Sequence, residues 1–122
     1  MAEQQQLQLL SEALQKFQDD LQSALEARQK LEAQQSENEA VKSEFDTLSD
    51  GAGIYKLVGP VLLKQERTEA VSAVDGRLEY IGKEIERTEE RIKDLQGASD
   101  NKRVELMQLQ QKMQQQQGQV AG

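Results

Sequence analysis

The sequence predicts a mainly α-helical fold, in which two long helices form an antiparallel coiled coil and are joined by a central β-hairpin. Of the 122 residues only 3% are aromatic and 30% are charged, so a large compact core is not expected. One proline and eight glycines leave long stretches free to form helices. Long helices bury a narrow apolar seam and leave most side chains in water, which suits this composition.

The first helix is predicted over residues 1–49. Apolar or seam-compatible residues recur there at steps of three and four, the heptad pattern of a coiled coil, and the row passes through polar Gln34 and Asn38. The row consists of Leu7, Leu10, Leu14, Phe17, Leu21, Ala24, Arg28, Leu31, Gln34, Asn38, Val41, Phe45 and Leu48. The path from Arg28 to Gln34 takes two successive steps of three, so we expect a stammer, a local overwinding of the coil.

The second helix is predicted over residues 67–117, followed by a tail over residues 118–122. Its seam keeps the alternating steps without a break. The row consists of Val71, Val74, Leu78, Ile81, Ile85, Thr88, Ile92, Leu95, Ser99, Lys102, Leu106, Leu109, Met113, Gln116 and Val120. Ser99 and Lys102 are polar seam positions close to Gly97, so we expect the coil to loosen there and leucine at both positions to stiffen it.

Residues 54–65 read as two short strands about a turn at Gly59-Pro60. A chain that folds back here makes the helices antiparallel, with facing residue numbers that sum to about 119. An isolated hairpin is marginal in water and this one is apolar on both faces, so its edges are expected to pair with strands of other chains. The predicted interface consists of Ile54, Tyr55, Leu57, Val58, Gly59, Pro60, Val61, Leu62 and Leu63. The alternative is a monomer whose hairpin folds onto the helix bases near Phe45, Leu48 and Val71.

Enzymatic functions are poorly supported. The absence of histidine and cysteine leaves no usual zinc site, histidine base, thiol nucleophile or disulfide. No phosphate-binding glycine loop occurs, and neighbouring carboxylates such as Asp19 and Asp20 point in different directions on a helix. We therefore predict no catalytic residue, no metal and no cofactor.

The sequence also favours a cytoplasmic location. The longest apolar stretch, residues 57–63, is far shorter than the roughly 20 residues that span a bilayer, and the N-terminus lacks a signal-peptide pattern. A net charge of -7 disfavours nonspecific binding to nucleic acid or to an acidic membrane.

The hairpin carries a family resemblance. The stretch Ile54-Tyr55-Lys56-Leu57-Val58-Gly59-Pro60-Val61-Leu62-Leu63-Lys64-Gln65, with Gly76-Arg77-Leu78-Glu79-Tyr80-Ile81 downstream, resembles the β class of the prefoldin family. The resemblance covers essentially the whole chain, because helix, single hairpin and helix is the β-class layout. It implies a hexamer of two α-class and four β-class subunits with an intersubunit β-barrel. It also implies an ATP-independent chaperone that captures unfolded chains such as actin and tubulin and passes them to the cytosolic chaperonin.

For such a chaperone, the free ends of the coiled coil are the expected client site. Leu9 and Met107 lie off the seam with no obvious partner inside the chain, and methionine adapts to varied surfaces. Seam residues at the ends either zip the helices together or join client binding when the ends fray. The predicted client-binding set consists of Leu7, Leu9, Leu10, Leu14, Leu106, Met107, Leu109 and Met113.

The glutamine-rich segment 108–119 fits a frayed helix, a disordered tail or a polar surface that hydrogen-bonds a client main chain, and the helix is favoured because glutamine is a fair helix former.

The rival function is a structural or adaptor coiled coil that uses the hairpin as a docking element. That rival explains the heptads equally well and gives less reason for the apolar hairpin.

Overall fold

The computed structural model describes residues 2–49 and 51–121, with side chains up to residue 118. Its elements follow in the order α1 (Ala2–Thr47), β1 (Ile54–Val58), β2 (Val61–Gln65) and α2 (Arg67–Ala121). The predicted fold class is confirmed. Helix α2 continues to Ala121, beyond the predicted end at residue 117, because the glutamine-rich segment favours helix strongly enough to accommodate Gly118.

The hairpin pairs β1 and β2 antiparallel, from Ile54 opposite Gln65 to Val58 opposite Val61. Gly59 has a φ of 58°, in the left-handed region that only glycine enters without strain. Glycine at the first position of a two-residue loop suits the right-handed twist of the strands. The predicted turn therefore fixes the register of the hairpin.

The partly buried row of α1 keeps its period throughout, so the predicted stammer is wrong. The row passes through Gln35 and Lys42 rather than Gln34 and Val41, and Val41 is 38% exposed. Alternating steps of three and four then run unbroken from Leu7 to Phe45. A lysine fits this position because its aliphatic stem packs against the helix pair while its ammonium group remains near solvent.

The row of α2 is confirmed from Val71 to Met113. Every predicted position in that range is buried or partly buried, and Val74, Ile81, Ile92 and Ser99 are among the most buried residues of the described chain. Gln116 is exposed, and the side chain of Val120 lies outside the described residues. The apolar seam thus supplies most of what the chain buries.

The chain divides into two compact units, each containing part of both helices. The terminal unit comprises the residues up to Ala27 and those from Thr88 onward, and the hairpin unit comprises Arg28–Arg87. In the terminal unit Leu10 and Leu109 line one groove. With its amide nitrogen turned toward the carboxylate, Gln116 donates to Oε1 and Oε2 of Glu3 at 3.0 and 2.9 Å. These facing positions match the predicted antiparallel pairing.

Within the described residues, neither helix contains a stretch long and apolar enough to cross a membrane.

Candidate interaction surfaces

Six apolar side chains of the hairpin are exposed, and we call this set the hairpin surface. Their exposed fractions lie between 49% and 67%. The set consists of Tyr55, Leu57, Val58, Val61, Leu62 and Leu63. Single exposed apolar residues are common on proteins, whereas six on one short hairpin are typical of a surface that another molecule covers.

Both faces of the hairpin contribute to this surface. Alternation along the strands places Tyr55, Leu57 and Leu62 on one face and Val58, Val61 and Leu63 on the other. The outer edges of β1 and β2 also lack a ladder partner, because the sheet in the described chain has two strands. The hairpin therefore offers apolar side chains and unpaired main-chain groups together, the combination that strand addition from another chain satisfies.

Ile54 differs from the other predicted interface residues because it is buried within the hairpin unit. It lies beside Phe45 of α1 and Ala70 and Val74 of α2, which line the same groove. Ile54 is the first residue of β1, at the end of the hairpin where the chain leaves the helices, so it packs inward. In the single chain Ile54 therefore packs against its own helices, and its part in an intersubunit interface stays a prediction.

Arg67 ties the start of α2 to the end of α1. Its Nη2 donates a hydrogen bond of 2.6 Å to the main-chain carbonyl oxygen of Phe45. The two residues lie on either side of the hairpin in the sequence. The last turn of α1 has no basic residue of its own. A cation at this end balances the partial negative charge of the helix terminus and satisfies a carbonyl there. Arg67 thereby fixes the junction that presents the hairpin.

A second tie in the hairpin unit joins Lys42 and Asp75. The Nζ of Lys42 lies 2.8 Å from Oδ1 of Asp75, and both side chains are about half exposed. The hydrogen bond and charge of Asp75 raise the pKa of Lys42 above its ordinary value of 10.5. This cross-helix pair explains how a lysine holds a position in the buried row.

In the terminal unit, the predicted client-binding residues fall into two groups. The seam members are partly buried between the helices. They are Leu7, Leu10, Leu14, Leu106, Leu109 and Met113. Leu9 and Met107 are 65% and 53% exposed, respectively, so most of each side chain is not buried within the chain.

Sequence reasoning missed one residue of this second group. Val104 is 51% exposed and lies three residues before Met107, so the two share a helix face. We call Leu9, Val104 and Met107 the exposed tip residues. The criterion that selected Met107, an apolar residue off the seam, would also have selected Val104.

Ser99 is the more enclosed of the two polar seam positions, and the loosening of the coil there stays a prediction. Ser99 is only 4% exposed, so its small side chain is almost out of reach of solvent. Lys102 behaves differently, because its Nζ reaches out to Oε2 of Glu105 at 3.4 Å. A leucine at position 99 would therefore have to displace its neighbours rather than fill a gap.

The family model described as Prefoldin subunit matches residues 4–119. The chain belongs to the prefoldin family. It is 46% identical over 119 residues to prefoldin subunit 6 of Homo sapiens, covering 98% of this chain and 92% of that protein. It is 46% identical over 95 residues to prefoldin subunit 6 of Saccharomyces cerevisiae, covering 78% of this chain and 83% of that protein.

The fold is that of a solved prefoldin subunit. The crystal structure of the prefoldin beta subunit from Thermococcus strain KS-1 superimposes with a TM-score of 0.78, covering 84% of this chain and 90% of that one at 23% identity. Both the hairpin surface and the exposed tip residues lie inside the range matched to the prefoldin family. Neither surface is an addition to the prefoldin fold.

Proposed function

We propose that this chain is one subunit of an ATP-independent hexameric chaperone, assembled with two α-class and three further β-class prefoldin subunits. In this proposal the complex is cytoplasmic, captures unfolded proteins such as actin and tubulin, and delivers them to the cytosolic chaperonin. The family membership and the resemblance of the hairpin support the proposal. The chain acts by binding an unfolded protein on its surface and releasing it, so no catalytic residue or cofactor takes part.

The observation that carries the proposal is the exposed hairpin surface with its unpaired strand edges. Fully burying a leucine-sized side chain contributes about 2 kcal/mol, so leaving six such residues in water disfavours an isolated chain. Strands of neighbouring subunits would cover these side chains and complete the main-chain hydrogen bonds, forming an intersubunit β-barrel. The hairpin is then the assembly element of the subunit.

The exposed tip residues support the client-binding half of the proposal. Unfolded proteins expose apolar segments, which bind to apolar side chains that the chaperone's own fold leaves free. Leu9, Val104 and Met107 meet this requirement, and the unbranched thioether of Met107 adapts to varied partners. The partly buried seam residues of the same unit would join them only where the helix ends open.

One tip can hold a client only weakly. Three side chains supply a few kcal/mol of apolar burial, from which the cost of association is subtracted. Several subunits on one body raise the effective concentration for each later contact, so a multivalent complex holds a client while each contact exchanges rapidly. The weakness of each single contact is therefore a physical reason for a hexamer.

The experiment is suppression of aggregation of a chemically denatured client by the reconstituted complex. One complex contains the full chain, and the other contains a chain shortened at both helix ends by removing residues 1–10 and 106–122. We expect both complexes to assemble and the shortened one to lose protection. Unchanged protection would place the client site elsewhere, and no protection by the full complex would favour the structural or adaptor coiled coil.

A further inference from the structure

A groove of about 310 Å³ lies within the hairpin unit, where α1, α2 and the start of the hairpin meet. Apolar residues form much of its lining, including Phe45, Ile54, Ala70 and Val74. Ala70 and Ala73 are small, so the chain's own side chains leave space for one from outside. We call this feature the junction groove.

Two cations line the same groove. Lys56 comes from β1 and Arg77 from α2, and neither forms an ion pair with any residue that the structure describes. In the hairpin unit Lys83 pairs with Glu79 and Arg87 with Glu84, whereas Lys30 and Lys64 also form no ion pair with a described residue but do not line the groove. In a chain with a net charge of -7, two unpaired cations beside an apolar pocket favour an acidic partner.

Tyr80 extends this surface along α2. It is 64% exposed and lies three residues after Arg77, so the two side chains share a helix face. Tyrosine and arginine are enriched at the energetic centres of protein interfaces, because each combines a large contact area with a polar group. The groove and Tyr80 together have the chemistry of a protein-binding site.

We infer that the junction groove receives a segment of a neighbouring subunit in which an apolar side chain stands next to a carboxylate. The apolar side chain enters between Phe45 and Ile54, and the carboxylate lies against Lys56 and Arg77. This inference rests on the proposed assembly and names a second contact within it. Subunit pairing would then be selected by charge as well as by strand addition.

The position of the groove identifies the neighbouring subunit as its occupant. Three consecutive residues of β1, Ile54 to Lys56, line the groove, whereas β2 contributes Gln65. A strand that pairs with the free edge of β1 therefore brings its flanking residues to the groove. A client site must accept many sequences, whereas two cations at fixed positions select one charge pattern.

The test is charge reversal in the reconstituted complex, with Lys56→Glu and Arg77→Glu combined in the full chain. The matched control combines Lys16→Glu and Lys30→Glu, two exposed lysines of α1 whose reversal changes net charge equally. We expect the groove variant to raise the dissociation constant for the remaining subunits by roughly tenfold or more, with a weaker salt dependence, and the control to change it little. Equal dissociation constants for the two variants would overturn the inference.

Two further arms keep the result interpretable. The pair Lys56→Met and Arg77→Met retains apolar stems and should shift the dissociation constant in the same direction by a smaller factor, whereas no shift would count against the inference. A Leu57→Asp, Leu62→Asp chain tests the assembly itself. If that chain fails to assemble while the groove variant assembles normally, the junction-groove inference alone is wrong. If both assemble normally, the proposed assembly through the hairpin is wrong as well.

A photoreactive side chain at Ala73, in the groove, identifies the occupant. We expect it to crosslink to another subunit within a few residues of an aspartate or glutamate. Crosslinks formed only with a bound client or with the chaperonin would overturn the inference.

Discussion

The guanidinium of Arg67 donates a 2.6 Å hydrogen bond to the main-chain carbonyl of Phe45, linking the first residue of α2 to the last turn of α1. This bond closes the base from which the hairpin projects. The last turn of α1 has no basic residue, so the positive charge that balances the partial negative charge of this helix end comes from Arg67 of α2. A residue outside the hairpin therefore links the two helices at the point where the hairpin begins.

Replacing Arg67 with methionine should lower the free energy of unfolding by about 2 kcal/mol, because a partly buried carbonyl loses a charge-assisted hydrogen bond. Chemical denaturation followed by circular dichroism measures this change. Arg87→Met is the matched control, since the side chain of Arg87 is 78% exposed where it pairs with Glu84, and it should change the free energy by no more than about 0.5 kcal/mol. Equal effects of the two substitutions would remove Arg67 from this role.

Ser99 should be sensitive to size rather than to polarity. Ser99→Leu is expected to lower the free energy of unfolding by about 1–3 kcal/mol, because the added atoms overpack a site that is only 4% exposed. Ser99→Ala keeps the volume and should stay within about 0.5 kcal/mol of the parent or stabilise it, since alanine is the better helix former. A leucine variant more stable than the parent would show that the seam is loose at this point.

The Lys42–Asp75 pair should give stability a pH dependence in the alkaline range. The pKa of Lys42 is raised in the folded chain above 10.5, so its contribution is complete below pH 10.5 and is lost as pH rises through the higher folded value. The difference in unfolding free energy between the parent and Asp75→Asn should therefore be constant from neutral pH to about pH 10 and shrink as pH rises further. Glu79→Gln, which removes a more exposed pair with Lys83, is the control and should show a smaller difference. A parent-to-Asp75→Asn difference that persists at high pH would argue against the pair.

The exposed tip residues should affect client binding and leave the subunit's fold unchanged. Replacing Leu9, Val104 and Met107 with serine should weaken binding of an unfolded client to the complex by roughly tenfold or more, since each side chain loses about 1 kcal/mol of apolar contact. Fluorescence anisotropy of a labelled client measures the affinity. The control replaces the exposed polar residues Gln18, Gln111 and Gln114 with serine. Parent-like affinity in the tip variant would exclude these three side chains from the client site.

The two helices and their pairing could be predicted from the sequence because apolar residues recur at the period of a coiled coil. The α2 seam from Val71 to Met113 has an apolar residue at most positions, so its phase is unambiguous. The second half of α1 is mostly polar, so few apolar residues define the phase of its heptad row. The sequence prediction placed Val41 in that row because it is apolar. The structure instead places Lys42 in the row, where Asp75 of the other helix pairs with it. That partner is visible only once the helices are side by side.

The candidate surfaces were predicted in part. The apolar hairpin follows from its strand pattern, and six of its predicted residues are exposed as an interface requires. Burial of Ile54 depends on its position at the helix junction, which a strand pattern does not specify. The junction groove brings together residues from all four elements, from Val41 to Arg77, so no local pattern in the sequence could reveal it.

In the proposed complex, other prefoldin subunits cover the hairpin surface. The mass of the complex reconstituted from this chain and its partner subunits, measured by native mass spectrometry, tests that claim most directly. A Leu57→Asp, Leu62→Asp chain should be absent from the hexamer, whereas a Val104→Asp, Met107→Asp chain carries the same added charge on exposed residues of the terminal unit and should be incorporated normally. Full incorporation of the hairpin variant at the mass of the parent hexamer would contradict the account.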